Sequence, residues 1–229
     1  MKLEVGAASG GAPNSLAGRI ASMRELIAVA AREAGRLPSD ITLVGVTKKQ
    51  SREAVLAAIE GGLSDVGENY EQEARQKYAG LPVRKHFIGH VQTNKAKAIV
   101  AAFDVVQSID RLEAGRSIAK AARALGKPIR TLLQINISPV ERYGVLPQDA
   151  AALATRLRDD EGLAVDGVMA IGPNSSDRAA IAQSFEQAAR TLRAVGGEVL
   201  SIGMSGDWRE AIRSGSTMLR IGTAIFGAR

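Results

Sequence analysis

The stretch MLRIGTAIFG, residues 218–227, sets a single arginine, Arg220, inside an otherwise apolar run. On an extended strand side chains alternate between faces, so Arg220 shares its face with Met218 and Gly222 while Leu219 and Ile221 take the other. Arg220 therefore points into whatever the strand encloses. A guanidinium is always charged, and burying one without an acceptor costs on the order of several kcal/mol. Its acceptor is either an Asp or Glu of a neighbouring strand, as in ordinary buried ion pairs, or part of a ligand. Two small polar clusters lie close to it in pattern. Gly222 and Thr223 follow Arg220, and in SIGMS, residues 201–205, Ser201, Gly203 and Ser205 share one face while Leu200, Ile202 and Met204 share the other. With that apolar set packed on outer helices, the inner face is small and polar. Glycine lets backbone N–H groups approach an anion closely and hydroxyls add donors, although Gly and Ser in loops are also plain turn formers. Lys48, in VGVTKKQ, falls on the same face as Val44 and Val46. An amine in a partly desolvated pocket is a nucleophile toward an aldehyde, forming a Schiff base; the competing reading is a solvated Lys48-Lys49 loop.

These side chains need a frame that brings strand ends together. Leu16, Ile20, Met23 and Ile27 recur at helical spacing, with Asn14 or Ser15 as cap and Gly35 and Pro38 as stop signals, which predicts a leading helix. Residues 1–14, rich in Gly, Ala and Ser, are expected to form a poorly ordered tail. Beyond the helix, short apolar runs at 42–47, 63–69, 86–89, 104–109, 130–137, 164–172, 199–205 and 218–227 alternate with Ala-rich helical segments. Eight such units without a composition break predict one domain, residues 15–229, folded as an α/β structure: a single (β/α)8 TIM-type barrel. A doubly wound sheet is the alternative, but the turn after the first strand lacks the Gly-x-Gly-x-x-Gly that its nucleotide site would want. A length of 229 residues with 45% apolar content suits one barrel.

Chemistry in such barrels gathers at the carboxyl ends of the strands, and the loops after strands seven and eight are their recurrent phosphate site. Those ends carry Lys48, Asn69 in GENY, IGH and QTNK, SID, INIS, AIG, GMSGD and RIGT. A phosphate cradle across from an imine-forming lysine suits a phosphorylated aldehyde, of which pyridoxal phosphate (PLP) is the obvious one. With no cysteine, thiolate chemistry, disulfides and Cys-based metal sites are excluded, and two histidines make a His-rich metal site unexpected. The net charge of +6 is spread along the chain, with only eight aromatics for stacking, which argues against a nucleic-acid partner. No run has the length of a membrane span or a secretory core, so the chain reads as soluble and cytoplasmic, with no membrane partner.

The motifs VGENYEQE (66–73), HFIGHVQTNK (86–95), QSIDR (107–111), LLQINIS (132–138), SIGMSGD (201–207) and STMLRIGTAIFGAR (216–229) resemble those of the pyridoxal phosphate homeostasis proteins, a PLP-binding family, from about residue 15 onward. The resemblance implies a barrel like the N-terminal domain of alanine racemase with one PLP, the vitamin B6 cofactor, held as a Schiff base. By position it implies that Lys48 is the Schiff-base lysine, that Ser205, Gly222 and Thr223 bind the phosphate, that Asn69 lines the pocket, and that Arg220 faces the pyridine nitrogen. Three positions depart from the pattern: Lys85 stands where a tryptophan is usual, Gln50 replaces a second lysine and leaves Lys49 adjacent to Lys48, and Tyr143 replaces a lysine before a glycine.

Three functions follow as expectations. The first, implied by the resemblance, is a non-catalytic carrier that buffers PLP or passes it to apo PLP-dependent enzymes. The second is a weak amino-acid racemase, which needs a base on each face of the α-carbon; Lys48 supplies one, and Tyr70, the nearest tyrosine, reads more naturally as a packing residue. The third is an RNA- or protein-binding module using the basic surface. A monomer is the default, since nothing resembles an obligate interface.

Overall fold

Each apolar run is too short for a helix and is followed by an Ala-rich segment with a helical stripe, so the chain folds as repeated strand–helix units. The computed structural model describes residues 15–138 and 142–227. The expected tail, residues 1–14, lies outside the described residues. Strands β1 (Thr42–Val46), β2 (Asp65–Glu68), β3 (Arg84–Phe87), β4 (Val105–Ile109), β5 (Arg130–Ile135), β6 (Val165–Ala170), β7 (Val199–Ser201) and β8 (Met218–Ile221) form a closed parallel barrel in chain order. β8 returns to pair with β1, Val44 lying opposite Arg220. The helices between and around them are α1 (Leu16–Glu33), α2 (Arg52–Glu60), α3 (Glu71–Lys77), α4 (Ala96–Ala102), α5 (Leu112–Leu125), α6 (Ala150–Asp159), α7 (Arg178–Val195), α8 (Trp208–Arg213) and α9 (Thr223–Phe226).

Strand alternation divides the apolar residues into two sets. Leu43, Val66, Phe87, Leu133, Leu200 and Leu219 join the core between barrel and helices. Val44, Val46, Val105, Leu132, Met169 and Met218 are buried apart from it, inside the barrel. The interior also holds buried polar side chains, among them His86, Gln107, Ser201 and Arg220.

The leading helix begins where the cap residues predict, the Gly18 N–H donating to Ser15 Oγ at 3.0 Å, and it gives out before Gly35, whose φ is 68°. It packs against α2, α8 and α9, and Arg19 Nε donates to the Ile225 carbonyl at 2.5 Å. α1 packs against both α8, which leads into β8, and α2, which follows β1, and so lies over the β8–β1 seam from outside.

Two strand expectations are corrected. The run 218–227 is a strand only to Ile221, then turns at Gly222 into α9. The run 199–205 is a strand only to Ser201, so alternation lapses beyond it: Met204, expected on the outer helices, is 37% exposed, and its N–H donates to Asp207 Oδ1 at 2.6 Å.

Candidate functional site

The site residues expected from sequence come from four adjacent strands, β7, β8, β1 and β2, at their carboxyl ends. Arg220 lies on the inner face of β8 and is 4% exposed. Its Nη1 donates to the carbonyl and the hydroxyl of Ser201, both at 2.7 Å, and its Nη2 to the Ala170 carbonyl at 2.9 Å. All three acceptors are uncharged, so the structural ion pair left open by the sequence is not how this guanidinium is held. Of its five N–H groups these bonds use three, leaving Nε–H and one Nη2–H for another acceptor. Burial pulls its pKa down to about 10, partly offset by the charge of Asp207, and it stays cationic near neutral pH. Asp207 is itself pushed above the usual carboxylate range by burial, against the opposing pull of the Met204 N–H and Arg220.

Ser205 lies in the turn after β7 and Gly222 in the turn after β8, and the Ala224 N–H reaches Ser205 Oγ at 3.4 Å, joining the two turns. Gly222 is half-buried and Thr223 exposed. A Cβ at Gly222 would meet nothing nearer than Val46 at 3.6 Å, an ordinary contact. Packing within the protein does not demand glycine there; a ligand lying against the backbone would. Gly203 differs: its φ is 96° and a Cβ would come 2.5 Å from Ala211, so its lack of a side chain serves packing rather than the polar face first ascribed to it.

Lys48 sits in the turn that ends β1, half-buried and with no hydrogen bond or ion pair among the described residues. The turn closes through Gln50 N–H to the Thr47 carbonyl at 2.9 Å. Lys49 is exposed and has φ 63°, a left-handed conformation that costs a non-glycine residue roughly 1 kcal/mol or more. Its N–H donates to Glu73 Oε2 at 3.3 Å. Beneath the turn, Thr47 is fully buried: its N–H donates to the Gly67 carbonyl at 2.9 Å and its hydroxyl bonds Tyr78.

An ion pair that sequence reasoning missed ties this turn to Asn69. Lys77 Nζ donates to the Thr47 carbonyl at 2.8 Å and to Glu68 Oε2 at 2.6 Å, while Glu68 Oε1 accepts the Asn69 N–H at 2.7 Å. Glu68 is fully buried and Lys77 nearly so. One carboxylate and one ammonium thus hold the backbone on both sides of the β1–β2 pair, next to Lys48 and at Asn69. Asn69 itself is half-buried, and it also borders a second, outer cavity with Tyr70, His90 and Lys95. The only sequence sign of the ion pair was the acid in GENY, nine residues before Lys77.

Further round the mouth, a cavity of about 520 Å³ is lined by Gln134, Ile135, Asn136, Arg142, Tyr143 and Ile171. INIS pointed to this strand end; Arg142 carried no signal. Of the three departures, Tyr143 is exposed and stacks on His90 with ring centres 4.2 Å apart, Lys85 lies half-buried on β3 with its N–H on Asp104 at 2.9 Å, and Gln50 closes the Lys48 turn. Tyr70, expected to pack, is 57% exposed.

A half-buried amine without a partner among the described residues, an arginine with donors to spare there and two open turns of Gly, Ser and Thr fit a ligand with an aldehyde, a basic ring and a phosphate. Residues 23–229 match the family described as alanine racemase, N-terminal domain. The pyridoxal phosphate homeostasis protein of Pseudomonas aeruginosa is 39% identical over 222 residues, covering 94% of this chain and 96% of that one. Among solved structures, PipY of Synechococcus elongatus with PLP bound superimposes with a TM-score of 0.81 at 29% identity, covering 93% of this chain and all of that one. Alanine racemase of Clostridium difficile shares the fold, with a TM-score of 0.68 at 15% identity, 90% of this chain matching 56% of that one. This barrel, with its lysine, arginine and small-residue turns at one mouth, belongs to the pyridoxal phosphate homeostasis protein family, built on the fold of the alanine racemase N-terminal domain.

Proposed function

We propose that residues 15–229 form one PLP-binding unit that buffers the cofactor and yields it to apo PLP-dependent enzymes, acting as a monomer in the cytoplasm without a dedicated reaction of its own. The observation that carries this reading is Arg220: a buried guanidinium bonded, among the described residues, only to neutral acceptors, on the strand between the Lys48 turn and the Ser205 turn. Bound PLP supplies a reactive aldehyde and a phosphate dianion. Lys48 offers the amine, and Ser205, Gly222 and Thr223 offer hydroxyl and N–H donors to the phosphate. Asn69 lines the pocket on the β2 side. Arg220 donates a hydrogen bond without surrendering its proton, so it leaves a ring nitrogen unprotonated; an aspartate there would protonate the ring and favour carbanion chemistry. The family relationship and the PLP bound in PipY support the same ligand.

The racemase alternative gains little from the tyrosines. Tyr78 is buried beneath Thr47, and burial pushes its hydroxyl upward, away from service as a base; Tyr70 and Tyr143 are exposed. Among the described residues no helix is long and apolar enough to cross a membrane.

The test is near-ultraviolet and visible absorbance of the protein with PLP, followed by borohydride reduction and peptide mapping. A reduced pyridoxyl label on Lys48, lost in Lys48→Ala while circular dichroism stays native, is the expected result. A label that persists unchanged in Lys48→Ala overturns the assignment. Incubating the loaded protein with an apo-enzyme, and separately with L-alanine, then distinguishes delivery from racemisation.

A further inference from the structure

The barrel interior contains a line of polar side chains that PLP binding alone does not call for. It starts at Arg220, whose Nη1 donates to Ser201 Oγ at 2.7 Å. The Ser201 hydroxyl donates in turn to Gln107 Oε1 at 2.7 Å. Gln107 Nε2 lies 2.8 Å from His86 Nδ1, and His86 Nε2 lies 2.9 Å from Asp65 Oδ1. Asp65 is 5% exposed, Arg220 4%, and the three residues between them are fully buried.

The direction of every bond is determined by chemistry at the two ends and in the middle. Arg220 can only donate and an ionised carboxylate can only accept. Gln107 Nε2 also lies 3.2 Å from the Met218 sulfur, which is an acceptor, so a flipped amide would set its oxygen against that sulfur and lose the contact. With Nε2 in place, His86 Nδ1 must accept and its proton sits on Nε2, directed at Asp65. Burial pushes the Asp65 carboxyl up, but the hydrogen bonds from His86 and Ser64 and the charge of Arg84 outweigh it, and the group stays ionised to lower pH than an ordinary aspartate. All hydrogens therefore point from Arg220 toward Asp65, and hydrogen bonds aligned in this way polarise one another.

We propose that Gln107, held by His86 and Asp65, is a positioning residue for Arg220: it claims the hydrogen of Ser201, so that both lone pairs of that hydroxyl are free for the guanidinium. Nη1 is then gripped by two oxygens of one residue, the guanidinium plane is fixed, and the Nε–H and second Nη2–H are held in place for a ligand. Without Gln107 the Ser201 hydroxyl is free to turn, and its hydrogen competes with the guanidinium for the same space. This inference rests on the reading of Arg220 as a ligand of the PLP ring.

The experiment uses the full chain with ¹⁵N labelling. In the protein without PLP, the His86 signals should show a bare Nδ1 and a protonated Nε2, and Arg220 should give resolved, slowly rotating Nη signals. Gln107→Met, close in volume but without polar atoms, should broaden the Arg220 signals and weaken PLP binding by about tenfold, the scale of one well-made hydrogen bond. If Gln107→Met fails to fold, Ser201→Ala, which removes the hydroxyl and leaves its carbonyl bond to Nη1, is read in the same way. Sharp Arg220 signals and unchanged affinity in the substituted protein, or a His86 protonated at Nδ1, overturn the proposal while leaving PLP binding intact. Failure of the unsubstituted protein to bind PLP, with the Arg220 signals still dependent on Gln107, overturns the proposed function and leaves the positioning role standing.

Discussion

Lys77 and Glu68 show at the level of single residues how the site can depend on groups that do not touch a ligand. Their ion pair is buried, so removing one partner strands the other: Lys77→Met should cost about 3 kcal/mol or more, measured as a shift of the urea midpoint. The double variant Lys77→Met/Glu68→Gln should recover much of that loss, because glutamine still accepts the Asn69 N–H without a buried charge. If the double variant is as unstable as the single one, packing of the lysine stem rather than its charge is what matters. Asp65 makes a second prediction. Its carboxyl is depressed in the folded protein, so it contributes stability above the ordinary aspartate value of about 3.9, and that contribution is lost as pH falls below it and through the folded value. A stability profile in acid should therefore be steeper for the native chain than for Asp65→Asn.

At the scale of elements, the two strand-end turns separate a glycine kept by the fold from one left free by it. Gly203→Ala puts a Cβ 2.5 Å from Ala211 at a positive φ and should destabilise the protein by about 2 kcal/mol. Gly222→Ala meets only Val46 at an ordinary distance, so the melting temperature should hardly move while PLP affinity falls. Equal thermal losses in the two variants would contradict this division. The strand β7 explains why sequence alone assigned both glycines the same role. Alternation holds only while the chain is extended, and the short β7 ends at Ser201; parity carried on to Ser205 therefore put Met204 on the wrong side. Arg220 was placed correctly because β8 extends past it, its neighbours Leu219 and Ile221 both packing outward.

For the whole molecule, closure of the barrel makes the beginning of the described chain part of the site's support. α1 covers the seam where β8 meets β1, the two strands that carry Arg220 and lead to Lys48. Ile20 is fully buried there, and Ile20→Ala should cost about 3 kcal/mol, read from denaturant unfolding, with PLP retention falling in parallel.

Much of this was legible in the sequence for a physical reason: alternation, helical spacing and cap residues are local properties, and local stereochemistry turns them into strands and helices wherever they occur. The eight strands, the leading helix, the inward side of Arg220 and the strand ends as the site came from such patterns, and the family motifs added the roles of individual residues there. The rest depended on contacts between residues far apart in the chain. Lys77 with Thr47, Ser201 with Gln107, and α1 at the seam of β8 and β1 are neighbours only once the barrel has closed. Sequence determined which groups the protein has to work with and which way each strand faces; tertiary structure alone decided their partners, because hydrogen bonds and buried charges act over a few ångströms of space, whatever the distance along the chain.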